Sequence, residues 1–282
     1  MRLKGIRRSS NVEVRRGGGG FGGGARAGGL GIVGMLFVLG IGYFTGIDVT
    51  PLLTGGGSAP TQQSTPVSDA DDAETQFTAQ VLATTEDVWD KVFREQLGRE
   101  YTPPRLVVFS GVTQSPCGGA SGATGPFYCP ADAKAYLDTD FFAMLDQQLG
   151  AEGDFAAAYV IAHEVAHHVQ NELGILPKVD ELRRQSSQAE ANALTVRLEL
   201  MADCLSGVWA TNVQGLMERG DLDEALNAAR KIGDDYLQKQ AGRVPQPHTF
   251  THGTSEQRAS WFGRGYDTGE VGQCDTFAAE QL

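Results

Sequence analysis

Sulfur and imidazole are scarce in this 282-residue chain, which has four cysteines and five histidines. Cys117, Cys129, Cys204 and Cys274 form no C-x-x-C pair, which excludes a zinc ribbon. No internal repeat is present, and a single apolar run is long enough to cross a bilayer. Positive charge is also thin over most of the chain. Residues 1–28 hold seven of the 23 Lys and Arg and one of the 35 Asp and Glu, leaving 16 basic against 34 acidic side chains beyond them. So acidic a body is a poor match for a nucleic-acid surface, and no nucleic acid is expected as partner.

The one long apolar run, GLGIVGMLFVLGIGYFTGI from Gly29 to Ile47, holds no charge in 19 residues. As a helix it would span a hydrocarbon core of ~30 Å. Arg15, Arg16 and Arg26 precede it, and Asp48 is the first acid beyond it. By the positive-inside bias the expectation is a single-pass protein of the cell membrane, with a cytoplasmic N-terminus and an extracytoplasmic body. The long basic stretch ahead of the run, and the lack of an A-x-A site after it, disfavour a cleaved signal peptide. Gly42-x-x-x-Gly46 has the small-residue spacing that packs membrane helices together, pointing to a homodimer through that helix. The domain plan is then a disordered, basic, Gly-rich cytoplasmic tail (1–28), a transmembrane helix (29–49), a flexible linker (50–73) and a folded domain (74–282). All four cysteines fall after the apolar run, in what would be an oxidising space. Three pairings are open. Proximity across a Gly-rich loop favours Cys117–Cys129, which leaves Cys204–Cys274.

Within the body, Phe77, Val81, Val88, Trp89, Val92 and Leu97 recur at helical spacing, predicting a helix over 74–98 with a break near Thr84-Thr85. RLVVFS (105–110) follows Pro103-Pro104 and reads as a buried strand; the segment around 127–138 reads as a short hairpin or strand pair. Asp154 and Gly174 bound a helix of about 20 residues. A second long helix is expected over 186–213 and a third from Asp221 to about 240. Thr254 with Gln257 has the form of a capping box that opens the last one. Helices dominate and a small sheet comes early, so the fold class is α+β.

Three of the five histidines stand together in AAYVIAHEVAHHVQNEL (157–173). His163-Glu164-Val165-Ala166-His167 is an H-E-x-x-H motif. On a helix, i and i+4 lie roughly 40° apart on one face, so His163 and His167 can aim two imidazoles at one metal while Glu164 reaches a water beside it. His168 is off that face and reads as a surface or packing histidine. The metzincin continuation is missing, because Gln170 stands where its glycine would be and Leu173 where its third histidine would be. RLELMADC supplies another completion, with Glu199 and Asp203 again at i and i+4. In this E-x-x-x-D pattern of gluzincins the Glu is the third ligand and the Asp orients a ligand histidine. Glu190 competes for the ligand role, but Leu194 stands four residues after it and cannot orient a histidine. For the oxygen that gains charge in the reaction, His252 is the candidate donor, just before a helix start and six residues ahead of Arg258. His248 reads as an ordinary loop histidine. An intramembrane protease is disfavoured, since the motif's own apolar run is too short to span.

CGGASGATGPFYCPADAKAYLD, AHEVAHHVQNELG, RLELMADCLSGVWA and HGTSEQRASWFGRG together resemble the neutral zinc metallopeptidases of bacteria, single-span membrane proteins related to gluzincins. The resemblance covers the N-terminal anchor and most of 74–270, and the long glycine-rich basic head departs from it. It implies a predominantly helical zincin-like, gluzincin-type domain with a small β-sheet, preceded by one transmembrane helix. It also implies a Zn2+ cofactor and a peptide or protein substrate. The roles it implies are His163, His167 and Glu199 as metal ligands, Glu164 as base for a zinc-bound water, Asp203 behind the ligands and His252 as catalytic stabiliser. The competing reading is a non-catalytic zinc scaffold or chaperone-like protein tethered to the membrane; retention of Glu164 argues against it, because a structural site needs no base.

Overall fold

The computed structural model describes residues 1–16, 73–121, 125–147, 150–151 and 153–282. At its centre lies a four-stranded sheet in the order β1-β2-β6-β5, built from β1 (Val12–Arg16), β2 (Arg105–Ser110), β6 (Lys134–Asp138) and β5 (Phe127–Cys129). β1 and β6 run parallel to β2, while β5 at the edge is antiparallel to β6. β2 is buried at its four central residues, as expected of a strand covered on both faces. The strand period of two divides the sheet cleanly. Leu106, Val108, Ala135 and Leu137 face the main helical core. Val107, Phe109, Tyr136 and Cys129 face the other way, into a smaller cluster that Phe127 and Cys117 complete. A hairpin of β3 (Val112–Ser115) and β4 (Gly118–Ser121) follows β2, and the Cys117–Cys129 disulfide ties it to β5.

The first sixteen residues overturn the membrane topology. Met1, Leu3, Val12 and Val14 are buried in the main core, and β1 is paired residue for residue with β2, Val12 against Leu106 through Arg16 against Ser110. A single span with a cytoplasmic N-terminus would place residues 1–28 and 74–282 on opposite sides of a bilayer. A hydrogen-bonded ladder joins residues 12–16 to residues 106–110, so those segments lie on one side. Among the described residues, no helix is long and apolar enough to cross a membrane. The run assigned to 29–49 and the linker at 50–73 lie outside the described residues. The single-pass topology, the cell-membrane localisation, the membrane as partner and the homodimer through Gly42 and Gly46 are therefore corrected, along with the transmembrane part of the fold class. The mixed α+β, mostly helical fold stands.

The helices follow from their sequences with instructive differences. α1 (Ala73–Val92) runs unbroken through Thr84 and Thr85, whose hydroxyls donate back to the Val81 and Leu82 carbonyls within the helix. A π-turn, Phe93–Leu97, ends it at Gly98, whose φ of 61° suits glycine. After α2 (Asp140–Gln147), the motif helix α3 (Asp154–Glu172) is buried along nearly its whole length. α4 (Ile175–Arg184) precedes α5 (Gln188–Asn212). The region from Asp221 holds two helices rather than one, α6 (Asp221–Lys231) and α7 (Asp234–Gln240). They part at Gly233, where a Cβ would come 2.4 Å from the Ser255 nitrogen, so the chain there must pass beside the start of α8 (Ser255–Thr268). α8 opens on the Thr254/Gln257 capping box.

α5 and α8 touch backbone to backbone. A Cβ on Gly265 would meet the Cys204 carbonyl oxygen at 1.8 Å, and one on Gly207 would meet that of Phe262 at 2.1 Å. The Cys204–Cys274 disulfide holds the segment after α8 to α5 beside that crossing. Both pairs of cysteines are thus bridged, and α5 packs against both α8 and α3.

Candidate metal centre

α3 and α5 run antiparallel, as successive contacts between them show. Tyr159 meets Asp203, His163 meets both Asp203 and Glu199, and His167 meets Glu199. Four-residue spacing on both helices turns these side chains into one ladder at the helix–helix seam. His163 Nε2 lies 3.1 Å from one Glu199 oxygen and His167 Nε2 lies 3.5 Å from the other. One ligand atom from each of the three residues falls within 4.8 Å of the others. Tetrahedral zinc with bonds of about 2.0–2.1 Å places its donors roughly 3.3–3.5 Å apart. Two imidazole nitrogens and a carboxylate within 4.8 Å of one another are a donor set that fits the ion.

Each histidine has a polar neighbour at its outer nitrogen. His163 Nδ1 stands 2.9 Å from Asp203 Oδ1, although not in line for a full hydrogen bond. His167 Nδ1 is 2.9 Å from Gln170 Oε1, and the Gln170 amide donates to the Leu198 carbonyl of α5 at 2.7 Å. With its amide nitrogen committed to Leu198, Gln170 offers only its oxygen to the ring. The proton of His167 then sits on Nδ1 and leaves Nε2 as a donor to a metal. The residue that breaks the metzincin pattern is thus the one that bonds the His167 ring.

These groups perturb one another's charge. Burial opposes protonation of His163, but Asp203 and Glu199 override it and push its pKa up to about 9. His167 moves upward for the same reasons, with Glu199 as the main attraction against burial. Glu199 is held well below the usual carboxylate range despite its burial, chiefly by His167 and His163. Glu164 behaves oppositely: burial raises it, more than His167 and His163 lower it. Two carboxyls of one site are thus driven in opposite directions, Glu199 down and Glu164 up.

The remaining candidates separate clearly. Glu190 stands nine residues before Glu199, about 13 Å away along the helix axis. It is exposed and closes a capping box with Ser187 at the start of α5. His248 is exposed in the turn Pro247–Thr249, and its carbonyl accepts from Asn192. His252 enters the site's electrostatics, since it and Glu199 each feel the other's charge. Its Nδ1 is 3.1 Å from Asp234 Oδ1, while Asp234 Oδ2 accepts the backbone N–H groups of Thr251, His252 and Gly253 at 2.7, 2.6 and 3.1 Å. Asp234 therefore fixes both the ring and the loop that carries it. Nothing in the local sequence marks Asp234, which is eighteen residues upstream. His168 is a buried clamp: it faces the Thr102 carbonyl through Nε2 at 2.7 Å and the Tyr128 hydroxyl through Nδ1 at 3.0 Å, joining α3 to β5.

A family model described as "Putative neutral zinc metallopeptidase" matches residues 1–277. The chain is 50% identical over 286 residues to the Escherichia coli K12 protein called Uncharacterized protein YpfJ, covering 98% of this chain and 99% of that one. It is 44% identical over 195 residues to an uncharacterized protein of Mycobacterium tuberculosis H37Rv, covering 64% of this chain and 65% of the relative. No solved structure matches it.

Proposed function

Since this chain belongs to the neutral zinc metallopeptidase family, we propose that it is a zinc-dependent peptidase whose working centre is the seam between α3 and α5. His163, His167 and Glu199 hold the metal in this reading. A zinc ion held there would supply Lewis acidity for activating water and a carbonyl. Glu164 takes a proton from the attacking water and returns it to the departing amide nitrogen, a task its burial-raised pKa suits. His252, backed by Asp234, donates to the carbonyl oxygen as that oxygen gains charge. Asp203 and Gln170 aim the two ligand rings. β5, the edge strand beside the motif helix to which His168 ties it, supports an extended peptide as substrate.

One observation carries the reading: a carboxyl, Glu164, is buried beside three converging donor atoms but is not one of them. A zinc site with only a structural task has no use for a buried fourth group of this kind. The test is metal analysis of the purified chain together with a digest of an unbiased peptide library. Zinc near one equivalent with cleavage of the library is expected. Glu164→Gln should keep the zinc and lose the cleavage. Zinc without any cleavage in the wild-type chain would favour the scaffold reading instead.

A further inference from the structure

Arg258 lies in the first turn of α8 yet is only 1% exposed. An arginine is almost never so buried unless it is paired. Its guanidinium forks onto Asp203: Nε donates to Oδ2 at 2.9 Å and Nη2 to Oδ1 at 3.0 Å. Nη1 donates to the Ile232 carbonyl at 3.3 Å, and Nη2 reaches the Tyr159 hydroxyl at 3.4 Å. Tyr159 in turn donates to Asp203 Oδ1 at 2.5 Å. The same Oδ1 stands 2.9 Å from His163 Nδ1.

The geometry of this knot matters more than its charge. A carboxylate can rotate about its Cβ–Cγ bond, and one contact to one oxygen does not define its plane. Two parallel N–H donors on both oxygens do define it, which is the property that separates arginine from lysine. The fork itself is anchored from behind. The Thr254/Gln257 capping box sets the start of α8, and Asp235 accepts the Ser255 N–H and hydroxyl at 2.7 and 2.8 Å. Asp234 pins the loop just upstream. One segment, 251–258, therefore carries both His252 and the group that orients Asp203.

We propose that Arg258 is a positioning residue for the metal centre, fixing the plane of the Asp203 carboxylate so that its Oδ1 aims His163 Nε2 at the metal. The proposal rests on the zinc reading above and concerns how one ligand is aimed. Shape rather than charge carries the role, so lysine does not replace it.

The test measures zinc affinity of the full chain by competition with a chromophoric chelator. Arg258→Lys and Arg258→Gln are each made in the wild-type and in the Asp203→Ala background, and thermal unfolding of the metal-free proteins is recorded beside them. In the wild-type background both substitutions should weaken zinc on the order of 10- to 100-fold, the cost of losing such an outer partner. In the Asp203→Ala background neither should change the affinity further, because the carboxylate through which Arg258 acts is gone. Unchanged affinity in the first background overturns the proposal, as does full retention by lysine. Equal weakening in both backgrounds also overturns it, showing that Arg258 acts elsewhere. An Arg258→Lys chain that does not fold assigns the residue to the fold alone and has the same consequence. A wild-type chain that binds no zinc removes the underlying reading as well, so the two failures are distinguishable.

Discussion

Gln170→Met retains the length of the side chain and removes both of its hydrogen bonds. Gln170 is fully buried, so no water is at hand to replace what it loses. The two ends lose different amounts. The Leu198 carbonyl lies inside α5 and already accepts the N–H four residues on, so losing a second donor costs about 0.5–1.5 kcal/mol. The ring N–H of His167 loses its only acceptor within the helix, and its side chain is 14% exposed, so water repairs it in part. That end costs about 1–2 kcal/mol, below the full price of a buried unsatisfied group. Destabilisation should total about 1.5–3.5 kcal/mol, visible as a lower denaturant midpoint at unchanged slope. The larger effect falls on the metal. With Nδ1 unheld, the His167 proton is free to move to Nε2 and the ring to turn, so zinc affinity should drop ~10–100-fold. Denaturant titration and chelator competition on the same protein separate the two effects. If Gln170→Met binds zinc as tightly as wild type while losing stability, Gln170 is a core hydrogen bonder and the account of the second ligand is wrong.

Three further outcomes can be measured on the same material. Glu199→Ala should empty the site and Glu190→Ala should leave it filled, since Glu190 is an exposed helix cap; zinc titration decides, and the reverse order would refute the assignment of the third ligand. His252→Ala should lower turnover by about 10²-fold with zinc content unchanged, and Asp234→Asn should approach that loss because it frees the ring and its loop; an unaltered kcat in both would move the role to another donor. Replacing Cys204 and Cys274 by alanine opens a loop with a sequence separation of 70, worth about 4 kcal/mol in chain entropy, against about 3 kcal/mol for the separation of 12 between Cys117 and Cys129; equilibrium unfolding of the two double variants should show the first more damaged.

The site could be read in the sequence to the extent that its geometry is helical. Four-residue spacing is a property of one helix, so the shared faces of His163 with His167 and of Glu199 with Asp203 follow from the letters alone. Partners across the fold leave no such mark. Asp234 reaches His252 from the first residue of α7, and Arg258 reaches Asp203 because Gly207 and Gly265 let α5 and α8 touch. Gln170 sat in plain view as the wrong residue for another motif. Its i, i+3 relation to His167 was available, but its commitment to Leu198, which fixes which end faces the ring, belongs to the neighbouring helix. The break between α6 and α7 was hidden likewise, since Gly233 is required by the passage of Ser255 and not by anything within 221–240.

The error over the N-terminus has a different physical origin. The positive-inside argument treats basic side chains as solvated charges held back by a membrane. Here Arg7, Arg8 and Arg15 are partners within a fold. Arg7 pairs with Glu86 and Asp87, Arg8 donates to Gln76, and Arg15 pairs with Glu13, donates to Thr113 and the Gln114 carbonyl and lies over the Tyr136 ring. The signal that competes with the charge count is the alternation in VEVRR, where Val12 and Val14 enter the core while Glu13 turns the other way to meet Lys134 and Arg15 to meet Thr113 of the hairpin. Five residues of period two are a weak pattern in isolation, because a strand is stabilised by what it pairs with and not by itself. Its partner here is β2, about ninety residues away in sequence, and ladder pairing at that distance leaves no trace in local composition. Once the pairing exists it outweighs any count of charges. Strands exchanging backbone hydrogen bonds lie on one side of any bilayer, so the segment that carries those arginines belongs to the same folded body as the candidate metal centre.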